Sequence, residues 1–368
     1  MTTAPTPPVP PTAPTEPAQE SAAAAVGPAA SPAAGRTPSP AAPGRRLTVV
    51  ADQTPCRAVP AGCNSAISSI NNNQEIASRP HKAAARAGAD IRGEVLLALA
   101  QLRLAKPVQL KALLLPHQQG TDHVRRALRN LHTDGLAARA HRAQQSYWYC
   151  TPAGLAEAAA SGEFPLRSGR TTGRRVAAKT GLREHGLALV DSVVAFHRAG
   201  AADHTDWRLE VAHPTPAGSL VPDAVVLLWN GQSAFIEIDR TMSYALLIAK
   251  LERYDAYRNA PATGRGNAAR PPRPHWQETY SAPYSAERCF PPLLFVFAPA
   301  PRRAAPATRE AAFHQRAQHA PSVGYRITVA TTTLARLTQH GPKQPVWRVA
   351  GRHATEDRSP LSALPKAR

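Results

Sequence analysis

The stretch Val221-Pro222-Asp223-Ala224-Val225-Val226-Leu227-Leu228-Trp229-Asn230-Gly231-Gln232-Ser233-Ala234-Phe235-Ile236-Glu237-Ile238-Asp239-Arg240 decides the fold. Two apolar runs flank Asn230-Gly231, a pattern that predicts a β-hairpin. Three carboxylates, Asp223, Glu237 and Asp239, stand among residues that favour burial. A buried carboxylate is costly unless it is paired, hydrogen-bonded or bound to a cation, so these acids are the first candidates for function.

The turn fixes whether the acids meet. A two-residue turn at Asn230-Gly231 sets Trp229 opposite Gln232 and Asp223 opposite Ile238, on the face away from Glu237. A three-residue turn over Trp229-Asn230-Gly231, with Gly231 left-handed in a bulge, moves the register by one. Asp223 then opposes Glu237, with Cβ atoms roughly 4.5 to 5.5 Å apart. Asp239 follows on the same face. Two carboxylates that close repel unless a cation or a shared proton lies between them. The bulged register is therefore the expectation, because it gives the acids a common partner.

Working outward, the 368 residues leave room for two domains and tails. A formal net charge of +19 and a pI near 10.7 point to an anionic partner, with nucleic acid as the default. Arginine outnumbers lysine, which suits bidentate phosphate contacts, although a GC-rich genome also inflates Arg, Ala and Pro. Cys56, Cys63, Cys150 and Cys289 form no CxxC pair, so neither a disulfide framework nor a zinc ribbon is indicated, and a reducing cytoplasm is the expected location. No apolar run reaches the roughly 18 residues of a membrane helix, and the N-terminus has no secretory h-region. No membrane partner is expected.

Residues 1–80 are Pro/Ala-rich and read as a disordered tail, of which 47–80 is a poorly ordered lead-in. Residues 91–161 read as three helices and a hairpin. The third helix, from Asp122 to His132, buries Val124, Leu128 and Leu131 and turns Arg125, Arg126, Arg129 and Asn130 outward. This unit resembles a winged helix-turn-helix module, in which the third helix enters the major groove. Arg139, Arg142 and Tyr147 would lie on the wing. The bland alternative is a solvated basic face on a protein-binding module.

Residues 162–181 form a basic linker, and 182–350 a second domain of mixed α/β order. Within it, a helix covers His185 to His197, a strand Trp207 to Val211, and a helix capped by Thr241 or Ser243 runs to Arg258. Lys250, Tyr254 and Tyr257 share one face of that helix. Residues 259–292 read as a Pro/Arg/Gly-rich insertion, whose Gly264-Arg265-Gly266 lacks the strand and helix of a nucleotide site. The continuous apolar run Leu293–Phe297 predicts a buried parallel strand. A helix over 307–319, a strand over 325–329, a helical turn at Leu334–Leu337, a strand at Val346–Val349 and a frayed tail over 351–368 complete the expectation. His132, His185 and His197 read as ordinary helix residues. Zincin, GxSxG and P-loop motifs are absent.

The order helix, strand, hairpin, helix, strand resembles the PD-(D/E)xK nuclease superfamily, with a restriction-endonuclease-like αβββαβ core. Pro222-Asp223 matches its first element and Glu237-Ile238-Asp239 its second. The resemblance implies Mg²⁺ held by Asp223 and Glu237, with Asp239 and Glu210 as further ligands. Asp239 occupies the position of the motif lysine, and Lys250 in the next helix is the substitute. The alternative is a nuclease-like domain that has lost cleavage and keeps its acids in ion pairs with Arg240 or Lys250.

Together these blocks, with Phe290-Pro291 before the apolar strand, resemble the replication-relaxation family of actinobacterial proteins over about residues 91–329. The resemblance implies a protein of plasmid replication, relaxation or mobilisation whose partners are double-stranded DNA and plasmid replication or mobilisation proteins. Two rivals remain: a Mg²⁺-dependent endonuclease or nickase using Asp223, Glu237 and Lys250, and a winged-helix transcriptional regulator with a protein-binding second half.

Overall fold

The alternation of apolar spacings along the chain becomes a mixed α/β structure. A computed structural model describes residues 91–142, 145–162, 173–216, 218–261, 273–280, 289–320, 322–324, 326–351 and 357–367. The expected tail at 1–80, with Cys56 and Cys63, lies outside the described residues. So do Arg167 and Arg170 of the linker and Gly264-Arg265-Gly266.

Helix α1 (Arg92–Leu102) buries Val95, Leu96, Leu99 and Leu102. Helix α2 (Pro107–Leu114) begins on Pro107, where the missing N–H has no intrahelical acceptor to lose. Helix α3 (Asp122–Thr133) buries Val124, Ala127, Leu128 and Leu131. Gly135, at φ +72°, releases the chain into β1 (Ala137–Arg142), which pairs antiparallel with β2 (Gln145–Cys150), Ala137 opposite Cys150. Helix α4 (Pro152–Ala160) is capped by Thr151, whose Oγ1 accepts the Gly154 N–H at 3.1 Å and donates to the Gly135 carbonyl at 2.6 Å. Gly154 rests on the Leu136 carbonyl so closely that a Cβ would collide with it.

The basic stretch after α4 is more than a tether. Helix α5 (Gly173–Ala178) packs Val176 with Leu104, Tyr147 and Leu187. Helix α6 (Thr180–Arg198) starts two residues later. Tyr147, expected on the wing surface, is instead buried, with the Arg183 guanidinium 5.2 Å from its ring centroid. The reason is tertiary: α5 and α6 cover the face of β2 that a hairpin alone would leave open.

Next come a 3₁₀ turn (His204–Asp206), β3 (Trp207–Leu209), and a small hairpin of β4 (His213–Thr215) and β5 (Gly218–Leu220). Strands β6 (Ala224–Leu227) and β7 (Ser233–Asp239) form the central hairpin, followed by α7 (Tyr244–Arg258), α8 (His275–Tyr280), β8 (Leu293–Phe297) and α9 (Pro306–Ala317). The chain ends with β9 (Val329–Thr333), α10 (Leu334–His340), β10 (Trp347–Val349), β11 (Arg358–Ser359) and a 3₁₀ turn (Leu361–Ala363).

Seven strands join in the order β11-β10-β9-β8-β7-β6-β3. The pairs β7–β8 and β8–β9 are parallel and the others antiparallel. Every residue of β8 is buried, as its unbroken apolar run requires at the centre of a covered sheet. Phe235, Phe295 and Phe297 pack with Leu247, Leu251, Tyr254 and Phe313 on one face. On the other, Ile236, Ile238, Leu294 and Val296 join Val190, Val193 and Phe196 in a cluster that runs on into Val95, Leu99, Leu110 and Leu128. The three-helix unit and the sheet thus share one core. Each such side chain, fully buried, contributes about 1.5–3 kcal/mol.

Three boundaries differ from expectation. The strand expected at 325–329 starts at Val329 and runs through Thr333. Its buried threonines look polar in sequence, but Thr331 Oγ1 donates to Glu310 at 2.6 Å and meets His314 Nε2 at 2.7 Å. The tail expected to fray carries β11: the Arg358 guanidinium grips both oxygens of buried Glu310, at 3.0 and 2.7 Å. Part of the expected insertion is structural as well, since Trp276 of α8 is buried and its indole N–H donates to the Arg258 carbonyl.

Candidate functional site

The central turn has the bulged register. Ala224 opposes Ile236 and Leu227 opposes Ser233. The Leu228 N–H reaches the Gln232 carbonyl at 2.8 Å, and Gly231, at φ +76°, takes the left-handed position. Continued by one residue, this pairing brings Asp223 level with Glu237.

Each of the four carboxylate oxygens has a partner. Asp223, in the bend before β6, accepts the Ile238 N–H on Oδ2 at 2.7 Å, and its Oδ1 lies 3.3 Å from His185 Nε2 on α6. Glu237 has no exposed surface. Its Oε1 accepts the Tyr254 hydroxyl at 2.5 Å, and its Oε2 pairs with Lys250 Nζ. Tyr254 and Lys250 are four residues apart, one turn of α7, and therefore reach the same carboxylate.

Protonation is uneven across this cluster. Burial, and after it the charge of Asp223, push Glu237 up to about 8 against the pull of Lys250 and Tyr254. Burial would also raise Asp223, but His185, Lys250 and the Ile238 N–H outweigh it and hold that carboxyl well below the ordinary range. Burial opposes the charged form of His185, yet Asp223 and then Glu237 raise it. Lys250 is raised in the same way, the two acids overcoming burial. Of two carboxylates facing each other, one is thus pushed toward ionisation and the other toward protonation.

The remaining candidates separate into two groups. Asp239 lies on the Glu237 face of β7, but Arg309 of α9 takes its Oδ2 and the Met242 N–H its Oδ1, the latter at 3.2 Å. It forms a buried ion pair apart from the Asp223 cluster. Arg240 donates its Nε to the Pro299 carbonyl at 3.0 Å rather than to an acid of the hairpin. Glu210 adjoins Asp223 through its backbone, its N–H reaching the Asp223 carbonyl at 3.1 Å, while its side chain pairs with Arg103 at the end of α1.

On the three-helix unit, Arg125, Arg126, Arg129 and Asn130 are exposed along α3. Arg139 is exposed on β1, with its guanidinium 5.8 Å from the Trp148 ring centroid. The side chain of Arg142 lies outside the described residues.

In sequence His185 reads as an ordinary helix residue, and nothing near it announces its partner. Asp223 is 38 positions later, so only the packing of α6 across β6 and β7 brings them together. Among the described residues, no helix is long and apolar enough to cross a membrane.

Residues 96–269 match the replication-relaxation family, a segment that runs from α1 past the end of α7 and so contains α3, the central hairpin and Lys250. No curated protein and no solved structure matches the chain.

Proposed function

Over residues 96–269 the chain belongs to the replication-relaxation family, and from that premise we propose that it serves plasmid replication, relaxation or mobilisation by binding double-stranded DNA. In this reading α1 to α3 with the β1–β2 hairpin act as a winged helix-turn-helix. The observation that carries it is α3 itself: one face is sealed into the core while three arginines and an asparagine stay exposed on the other. A net charge of +19 supports the same partner. Arg125, Arg126 and Arg129 contact the duplex, with Arg139 and Arg142 reaching backbone phosphate from the hairpin. A gel-shift salt series tests this. Changing the three α3 arginines to alanine flattens the dependence of log K on log salt by about 0.9 per lost phosphate contact. An unchanged slope removes α3 from the interface.

A second reading is favoured by Lys250. Its ammonium lies on Glu237, in a helix directly after the hairpin, where it replaces the lysine that Asp239 displaces from the PD-(D/E)xK pattern. Asp223 and Glu237 suit Mg²⁺ as oxygen donors that the register sets opposite each other, with Lys250 giving way to the ion on Glu237. Bound there, the ion would acidify an attacking water and stabilise phosphoryl charge. Lys250 then pairs with the phosphate, and His185 keeps Asp223 oriented. Supercoiled plasmid with Mg²⁺, beside an Asp223→Ala chain, decides the matter. Nicking that the variant lacks makes the protein a nuclease; no nicking by either leaves it a binding protein.

A further inference from the structure

Far from the acid cluster, the end of α6 meets the 3₁₀ turn before β3, and three side chains of metal-ligand type converge there. His197 comes from the last turn of α6, Asp203 caps the 3₁₀ turn and His204 is its first residue. Their ligand atoms all lie within 4.8 Å of one another. His204 Nδ1 is 3.0 Å from Asp203 Oδ1, and His197 Nδ1 is 3.6 Å from Asp203 Oδ2. In a tetrahedral zinc site, with Zn–N and Zn–O near 2.1 Å, neighbouring ligand atoms are roughly 3.4 Å apart. The observed separations, which run to different oxygens of Asp203, lie on either side of that value.

His204 Nδ1 is buried against Asp203 Oδ1, an oxygen that also accepts the Thr205 N–H and hydroxyl, both at 3.0 Å. The backbone is also fixed independently of any ion: Gln101 Nε2 on α1 donates to the carbonyls of His204, at 2.8 Å, and Trp207, at 2.9 Å, and the Asp203 N–H donates to Asp206. The location favours positive charge, since α6 ends there and presents the negative pole of its dipole.

We propose that His197, Asp203 and His204 form a binding site for a zinc-type divalent ion. Two imidazoles and one carboxylate select Zn²⁺, Co²⁺ or Ni²⁺ over Mg²⁺ or Ca²⁺, which prefer oxygen alone. Three protein ligands leave a fourth position for water on the side of the half-exposed Asp203. The ion cross-links the end of α6 to the turn that leads into the edge strand β3, and Gln101 extends that anchorage to α1. The site neither uses nor requires Asp223 and Glu237.

Cobalt is the probe. The full chain, stripped by chelator and titrated with Co²⁺, takes up one equivalent with the visible bands of a four-coordinate ion, and Zn²⁺ displaces it. The bound form shows two paramagnetically shifted, exchangeable imidazole N–H resonances, a readout that needs no variant. His197→Ala with His204→Ala abolishes the uptake, whereas Asp223→Asn leaves it intact. Zn²⁺ raises the melting temperature of the parent chain and not of the double variant. Absence of stoichiometric uptake, a histidine count other than two, or retention by the double variant overturns the proposal. Loss in Asp223→Asn instead assigns the cobalt to the acid cluster.

Discussion

Replacing Glu237 by glutamine tests the electrostatics of the acid cluster most directly. Glutamine keeps the shape and still accepts the Tyr254 hydroxyl, but it cannot ionise. In the parent chain Glu237 titrates near 8, against an ordinary value of 4.5. Between those pH values the unfolded chain has lost this proton and the folded chain keeps it. Stability therefore falls as pH rises, by about 1.4 kcal/mol per pH unit. Across the whole interval the loss is on the order of 5 kcal/mol. Asp223 titrates below this window and Lys250 above it, and the upward push on His185 comes chiefly from Asp223, which both chains share. The stability of the parent relative to Glu237→Gln should thus decline from pH 5 to pH 8 and then level off. Urea unfolding of both chains at half-unit pH steps measures it. Parallel curves would mean that Glu237 is ionised throughout, and the picture of a split pair of carboxylates would be wrong.

Other expectations follow from neighbouring contacts. At pH 7, Mg²⁺ binding at the cluster should release close to one proton per ion, because Glu237 must ionise; calorimetry in two buffers of different ionisation heat reads this, and Glu237→Gln should show no release. Arg309→Met strands the buried carboxylate of Asp239 and should cost about 3–5 kcal/mol of unfolding free energy, part of it recovered by adding Asp239→Asn. Arg358→Ala should cost a similar amount, about 3 kcal/mol, by leaving Glu310 buried without its guanidinium; a loss within error of zero would return the C-terminal segment to the status of a loose tail. Gly154→Ala drives a Cβ into the Leu136 carbonyl and should lower stability by about 1–3 kcal/mol, whereas Gly181→Ala, in open space, should not.

What could be read from the sequence was what is local. The register of the central hairpin follows from one left-handed glycine, and the buried strand β8 from five consecutive apolar residues. The stripe of α3 was visible because helical spacing repeats within a dozen residues. Partners distant along the chain left no such trace. Asp239 looked like a ligand because Arg309, 70 positions later, carries no mark of its destination. His185 looked like any helix residue for the same reason. Strand β9 was misplaced because its threonines are polar in sequence, and only Glu310 and His314 make their burial tolerable.

The core shared by α1, α2, α6 and the sheet has a mechanical consequence. A reading head on a flexible tether could sample many positions, but here Leu99, Leu110, Val190 and Phe196 lock helices of the first unit to the floor beneath the hairpin. Under the proposed function, the span between the arginines of α3 and the Asp223–Glu237 pair works as a ruler. Whatever the second site does to a duplex, it would do at a constant number of base pairs from where the first one grips.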